Sequence, residues 1–140
     1  MSYTHDAVGR GSGSVIRLGL SAVEVFVGVG AVYGGIMLIA DGWALPLSDL
    51  EPLAMSSWMW PGIALLAVVA VPMLGAAYLA IRRHPFGGDA SVAAGLLLIG
   101  WIIVQVAVMG LAMAWQPVMA VLGAVVALLG WRLTRTEGRR

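Results

Sequence analysis

The feature that most constrains this chain is a rhythm of apolar stretches whose connections alternate between arginine-bearing and arginine-free. Residues 15–40, 61–81, 90–114 and 118–133 read as spans, and only the flanks and the second connection carry basic side chains. About 20 apolar residues cross ~30 Å of hydrocarbon as a helix. Three stretches meet that length, and the last is shorter, roughly 25 Å at 1.5 Å per residue. Hydrophobic residues make up 61% of the chain and charged residues 11%, against ~25% charged in soluble domains. That is too little polar surface to cover a core in water. The sequence therefore predicts an all-α integral membrane four-helix bundle.

Charge sets the expected orientation. Arg10 and Arg17 flank the first span, Arg82 and Arg83 follow the second, and Arg132, Arg135, Arg139 and Arg140 close the chain. The other two connections have no basic residue. Positive residues stay on the cytoplasmic side, which places both termini and the second connection there, N-in and C-in, in a bacterial plasma membrane. Every basic residue is arginine, which with the Ala, Gly and Val content fits a GC-rich genome. The arginines are read as topology determinants and contacts to anionic lipid headgroups.

Along the chain, residues 1–14 are polar and glycine-rich and predict a flexible cytoplasmic tail. Residues 15–40 exceed the ~7–15 residues of a leader's apolar region, so the expectation is a retained span. Residues 41–60 hold Asp41, Asp49, Glu51 and three tryptophans, Trp43, Trp58 and Trp60, which suit a membrane interface. Ser48 and Glu51 have capping-box spacing, and Pro46 and Pro52 limit any helix there to a short turn. Pro61 fits a first helical position, and Pro72 predicts a kink in mid-span. Gly87-Gly88-Asp89 is expected to turn the chain, as is Trp115-Gln116-Pro117. Residues 134–140 read as a basic cytoplasmic tail. Spans two and four both open on Trp-Pro-type sequences and close on arginine, but the connections before them differ too much in length to predict a repeat.

Few residues offer chemistry. Glu24 lies inside the first span, where acids often mark proton or cation paths. It is a candidate coupling group, or else a structural acid with a polar partner. Gln105, with Trp101 one turn earlier on the same face, is a candidate buried polar group bonding between helices. Small residues form stripes at spacings of three and four: Gly28, Ala31 and Gly35 continue the face of Ser21 and Glu24, and Gly30 and Gly34 adjoin it. Ala120, Gly123, Ala127 and Gly130 do the same on span four. Close helix approach is their ordinary purpose, and spans one and four are expected to pack tightly against each other. The absence of cysteine excludes a thiol nucleophile, a thiolate metal site and disulfides. His84 has no neighbour at metal-ligand spacing, and no nucleophile-elbow, P-loop or zincin pattern is present. An enzyme would need His84, Arg82 and Asp89 to converge. No cofactor, metal or nucleic acid is expected.

Tyr33-Gly34-Gly35, the acidic and proline-bearing residues 41–52, Pro61-Gly62, the stretch from Gly100 to Gln105, and Gln116-Pro117 together resemble a family of small four-span membrane proteins of high-GC Gram-positive bacteria. The resemblance covers roughly residues 33–131 and implies a plasma-membrane four-span protein without catalytic residues. Trp58 and Trp60 depart from its pattern. The layout is also similar to small multidrug transporters, which use a glutamate in the first span, but their connections are short. The leading expectation is a non-enzymatic packing or accessory component of a homo-oligomer or of a larger membrane-protein complex in the lipid bilayer. The rival is a dimeric proton-coupled small-molecule transporter or channel using Glu24.

Overall fold

The computed structural model describes residues 3–42, 46–111 and 114–138. Trp43, Arg139 and Arg140, named above, lie outside these. The described residues form α1 (Tyr3–Asp41), a 3-10 segment (Leu47–Leu53), α2 (Met59–Ile81), α3 (Gly87–Met109) and α4 (Trp115–Gly138). All are helical, and all four long helices are apolar and long enough to cross a membrane. The order is up-down-up-down, each helix packing on the next and α1 closing the ring against α4. Arg17, Arg82, Arg83, Arg132 and Arg135 gather at one end of the bundle, here the arginine end. Residues 46–60 and Gly110 lie at the other, the loop end.

Several element boundaries differ from the sequence expectation. The backbone is helical from Tyr3, through the glycine-rich stretch expected to be a flexible tail. Extending an existing helix fixes one residue per hydrogen bond gained, whereas starting one fixes several, so a long span carries poor helix formers along. The α4 helix likewise begins at Trp115 and runs to Gly138. Trp115-Gln116-Pro117 is its first turn, where proline has no hydrogen bond to lose, so the fourth span is not short. The helix α3 begins at Gly87 and ends at Met109, five residues before the expected end. Gly110 stops it with φ 73° and ψ −174°, a region essentially open to glycine alone.

The reversal between α2 and α3 falls on residues 82–86, before the glycines expected to make it. Arg83 takes φ 56°, and the His84 N–H donates to the Leu79 carbonyl at 2.9 Å, closing the end of α2. Gly87 and Gly88 serve close approach instead. A Cβ on Gly88 would collide with the Thr134 hydroxyl and the Gly130 carbonyl of α4.

Pro72 disturbs α2 as expected, and the disturbance has a specific form. Leu66–Ala70 is a π-helical turn immediately before it. Proline offers no N–H to the carbonyl four residues back and its ring crowds that carbonyl, and one residue is accommodated in a widened turn. At the loop end, Leu47–Leu53 is the short helical segment predicted between the prolines, with Pro52 inside it. Trp58 departs from its predicted interfacial role. It is buried against Leu38, Leu65 and Met109, and its Nε1 has no hydrogen-bond partner among the described residues. Trp60 stays exposed.

The seams also differ from the prediction. The small-residue stripe of span four packs on α3, not on α1. A Cβ on Gly123 would meet the Gly95 carbonyl at 3.0 Å, and one on Gly130 would meet the Gly88 carbonyl at 2.8 Å. The α1 stripe packs on α2: Gly28 lies under Leu74, and Gly35 under Leu66 and the Gly62 carbonyl. Helices adjacent in sequence satisfy their glycine faces within a hairpin. The bundle is thus two tight hairpins, α1–α2 and α3–α4, facing each other. Leu20, Val27, Met73, Leu98, Val126 and Leu133 fill the space between them.

Candidate functional site

Two features occupy the interior. The first is polar and lies toward the arginine end. Glu24 is fully buried, and neither carboxylate oxygen has a hydrogen-bond partner among the described residues. It sits on the inward face of α1 because Ser21, Glu24, Val27 and Gly28 follow at helical spacing and are all buried. Across the bundle, Ser91 of α3 turns its hydroxyl toward the Glu24 carboxyl. The approach falls short of a formed hydrogen bond, so the buried Ser91 and Ser21 hydroxyls are likewise unsatisfied. Gly130 of α4 allows this placement, since its missing side chain is replaced by the Ser91 Cβ.

An isolated carboxylate in apolar surroundings is too costly to persist, so such a group holds a proton, a cation or a counter-charge. Unsatisfied buried polar groups are rare enough in native proteins that each one calls for an explanation. Here three stand together. Each oxygen can accept a hydrogen bond, and the hydroxyls and a protonated carboxyl can donate one. The cluster is therefore competent to take up a proton or a small cation. Tyr78 and Trp131, which lie at the same depth in sequence, turn outward and are exposed. Arginines cover them: the Arg82 guanidinium carbon lies 5.4 Å from the Tyr78 ring centre, and that of Arg135 lies 4.3 Å from Trp131, within cation–π range.

The second feature is an apolar cavity of about 280 Å³ toward the loop end. Every helix contributes to it: Val27, Gly30, Ala31, Tyr33 and Gly34 from α1, Leu65 and Val69 from α2, Leu98, Trp101, Ile102 and Gln105 from α3, and Trp115 and Met119 from α4. Val27 stands one turn from Glu24, ~5 Å along the axis, so the cavity floor adjoins the polar cluster. Gln105 Oε1 is buried and accepts no hydrogen bond among the described residues. The interhelical hydrogen bond expected of Gln105 is therefore not formed through that oxygen, and Trp101, on the same helix, lines the same cavity. The small residue Gly30, expected in a packing seam, has nothing within 4 Å of its would-be Cβ.

His84, Arg82 and Asp89 each have a contact of their own. The Phe86 N–H donates to His84 Nδ1 at 3.2 Å, Arg82 covers Tyr78, and Asp89 Oδ1 lies 3.4 Å from the Thr134 hydroxyl. No group of three or more His, Asp or Glu residues able to hold a metal occurs among the described residues. Sequence reasoning missed Ser91 and Gln116, both buried to about 1% exposure or less. Ser91 had a legible signal, since Gly88, Ser91, Gly95, Leu98 and Ile102 recur at helical spacing and define the inward face of α3. Comparison with family models, curated proteins and solved structures finds no match to this chain.

Proposed function

We propose that this protein is a non-enzymatic, proton-coupled carrier of small apolar molecules in the bacterial plasma membrane, with both termini cytoplasmic and Glu24 as the coupling group. The observation that carries the reading is the fully buried Glu24 carboxyl, without a hydrogen-bond partner among the described residues and beside two unsatisfied hydroxyls. A packing seam gains nothing from such a group, while a carrier needs one that changes charge within the membrane. The apolar cavity one turn away supplies room for cargo next to it. The arginines at one end of the bundle support the orientation.

Proteoliposomes with an internal pH dye and an imposed membrane potential test this, offered a panel of small apolar compounds. The parent acidifies its lumen when a cargo is present, and Glu24→Gln slows this at least tenfold. Parent vesicles that stay at the protein-free rate across the panel, or a variant as fast as the parent, overturn the reading.

A second reading, an accessory component that packs on another copy or a larger membrane protein, is favoured by one observation. Gly19 and Gly30 of α1 face outward into open space, where another helix could approach closely. Cysteine crosslinking from Ser14, which is exposed, in native membranes would trap an adduct. A chain that runs only as a monomer removes this reading.

A further inference from the structure

Glu24 and Ser91 belong to different halves of the bundle. Glu24 stands on α1, in the first hairpin, and Ser91 on α3, in the second. Apolar side chains such as Leu20, Val27, Met73 and Leu98 fill the space where the hairpins face each other. The carboxyl and this hydroxyl are thus a polar meeting point across an apolar joint. Both side chains are fully buried, and neither has a hydrogen-bond partner among the described residues. A serine within a helix ordinarily turns its hydroxyl to solvent or back to a carbonyl of its own helix. That of Ser91 does neither; it is aimed across at the Glu24 carboxyl, just short of bonding. Gly130 holds this aim, because a Cβ there would lie 2.7 Å from the Ser91 Cβ.

Charged side chains stand off from the pair. No buried residue of α2, α3 or α4 is titratable among the described residues. Tyr78, Arg82, Asp89, Arg132 and Arg135, toward the same end of the bundle, are exposed. Arg17, on the same face of α1, is seven residues from Glu24, ~10 Å along the axis. The carboxyl and hydroxyl oxygens are enclosed, so the species exchanged there is a proton, which needs no space of its own.

We propose that Ser91 is the positioning residue of the coupling site: it closes the remaining gap and donates its O–H to Glu24, most strongly once the carboxyl has lost its proton. A hydrogen bond to a charged acceptor is roughly twice as strong as one between neutral groups. The hydroxyl therefore favours the ionised form and eases release of the carboxyl's proton. Ser91 keeps its own proton throughout. The inference rests on Glu24 as the coupling group of the carrier reading, but protonation is read without flux or cargo.

The test is infrared spectroscopy of the purified full chain in lipid nanodiscs, followed against pH. The carboxyl band that Glu24→Gln removes belongs to Glu24. Ser91→Ala deletes an atom that has no partner in the fold, so its melting temperature should match the parent's. In that variant Glu24 should hold its proton about tenfold more tightly, as loss of one hydrogen bond to a charged group implies. Its C=O stretch should move to higher frequency, as an acceptor that has lost its donor. Ser21→Ala, on the same helix as Glu24, should change proton affinity less than threefold. Ser91→Ala with the parent's midpoint and frequency overturns this inference and leaves Glu24 as coupling group untouched. An effect of Ser21→Ala as large as that of Ser91→Ala overturns it too. A Glu24 band that never changes with pH overturns both the inference and the coupling role beneath it.

Discussion

The α3–α4 contact and the α1–α4 contact use the same kind of residue to opposite ends. Between α3 and α4, glycines face one another and the backbones themselves meet: a Cβ on Gly95 would lie 2.5 Å from the Gly123 carbonyl and 2.7 Å from the Ala127 nitrogen. Between α1 and α4, Gly30 faces nothing, and the helices part around an apolar cavity. A missing side chain permits close approach only where a partner helix presents its own small face. Without that partner it leaves a hole. Small-residue spacing thus states where a helix can be approached and leaves open what approaches it.

Substitutions that add a single methyl group separate these cases. The largest effect is expected at Gly95→Ala, where the methyl meets backbone that cannot yield. A loss of about 2–3 kcal/mol, at the upper part of the overpacking range, should appear in detergent unfolding followed by circular dichroism. Gly28→Ala comes next. Its methyl meets the end of Leu74 at 2.6 Å, and that flexible side chain can rotate away, so a loss of about 1 kcal/mol is expected. Glu24→Gln follows, with stability unchanged or raised by about 1 kcal/mol, because an amide is cheaper to bury than a carboxylate that lacks a partner. Gly30→Ala is the smallest, within about 0.5 kcal/mol of the parent. If Gly30→Ala destabilised the protein as much as Gly95→Ala, the α1–α4 contact would be closed in the membrane and the contrast would fail.

The four helices were legible because a helix able to cross a bilayer must be long and apolar, and both properties can be read residue by residue. Glu24 was legible for the same reason, as an acid where acids are expensive. Helix pairing was not, because Gly123 and Gly130 carry no label saying whether they meet Gly95 and Ser91 or Gly28 and Gly35. The π turn at Leu66–Ala70 was legible only as the kink implied by Pro72. The boundaries at Tyr3 and Trp115 were misjudged because polar and glycine-rich residues lower the tendency to start a helix far more than the tendency to continue one. Trp58 was misjudged because an indole suits an interface and a core equally well until its neighbours Leu38 and Met109 are known. The cavity, built from all four helices at once, has no signature along the chain.

The opening at α1 and α4 has a consequence for how the bundle assembles. Hairpin partners are neighbours in sequence and close short loops, whereas α1 and α4 must find each other across the whole length between them, and such distant contacts form late. As the chain emerges from synthesis, α1 and α2 can pair before α4 exists. The joint between first and last helices is therefore made last, and in the finished molecule it is also the joint with least holding it shut. The contact that spans the greatest length of chain is thus also the one left open beside Gly30.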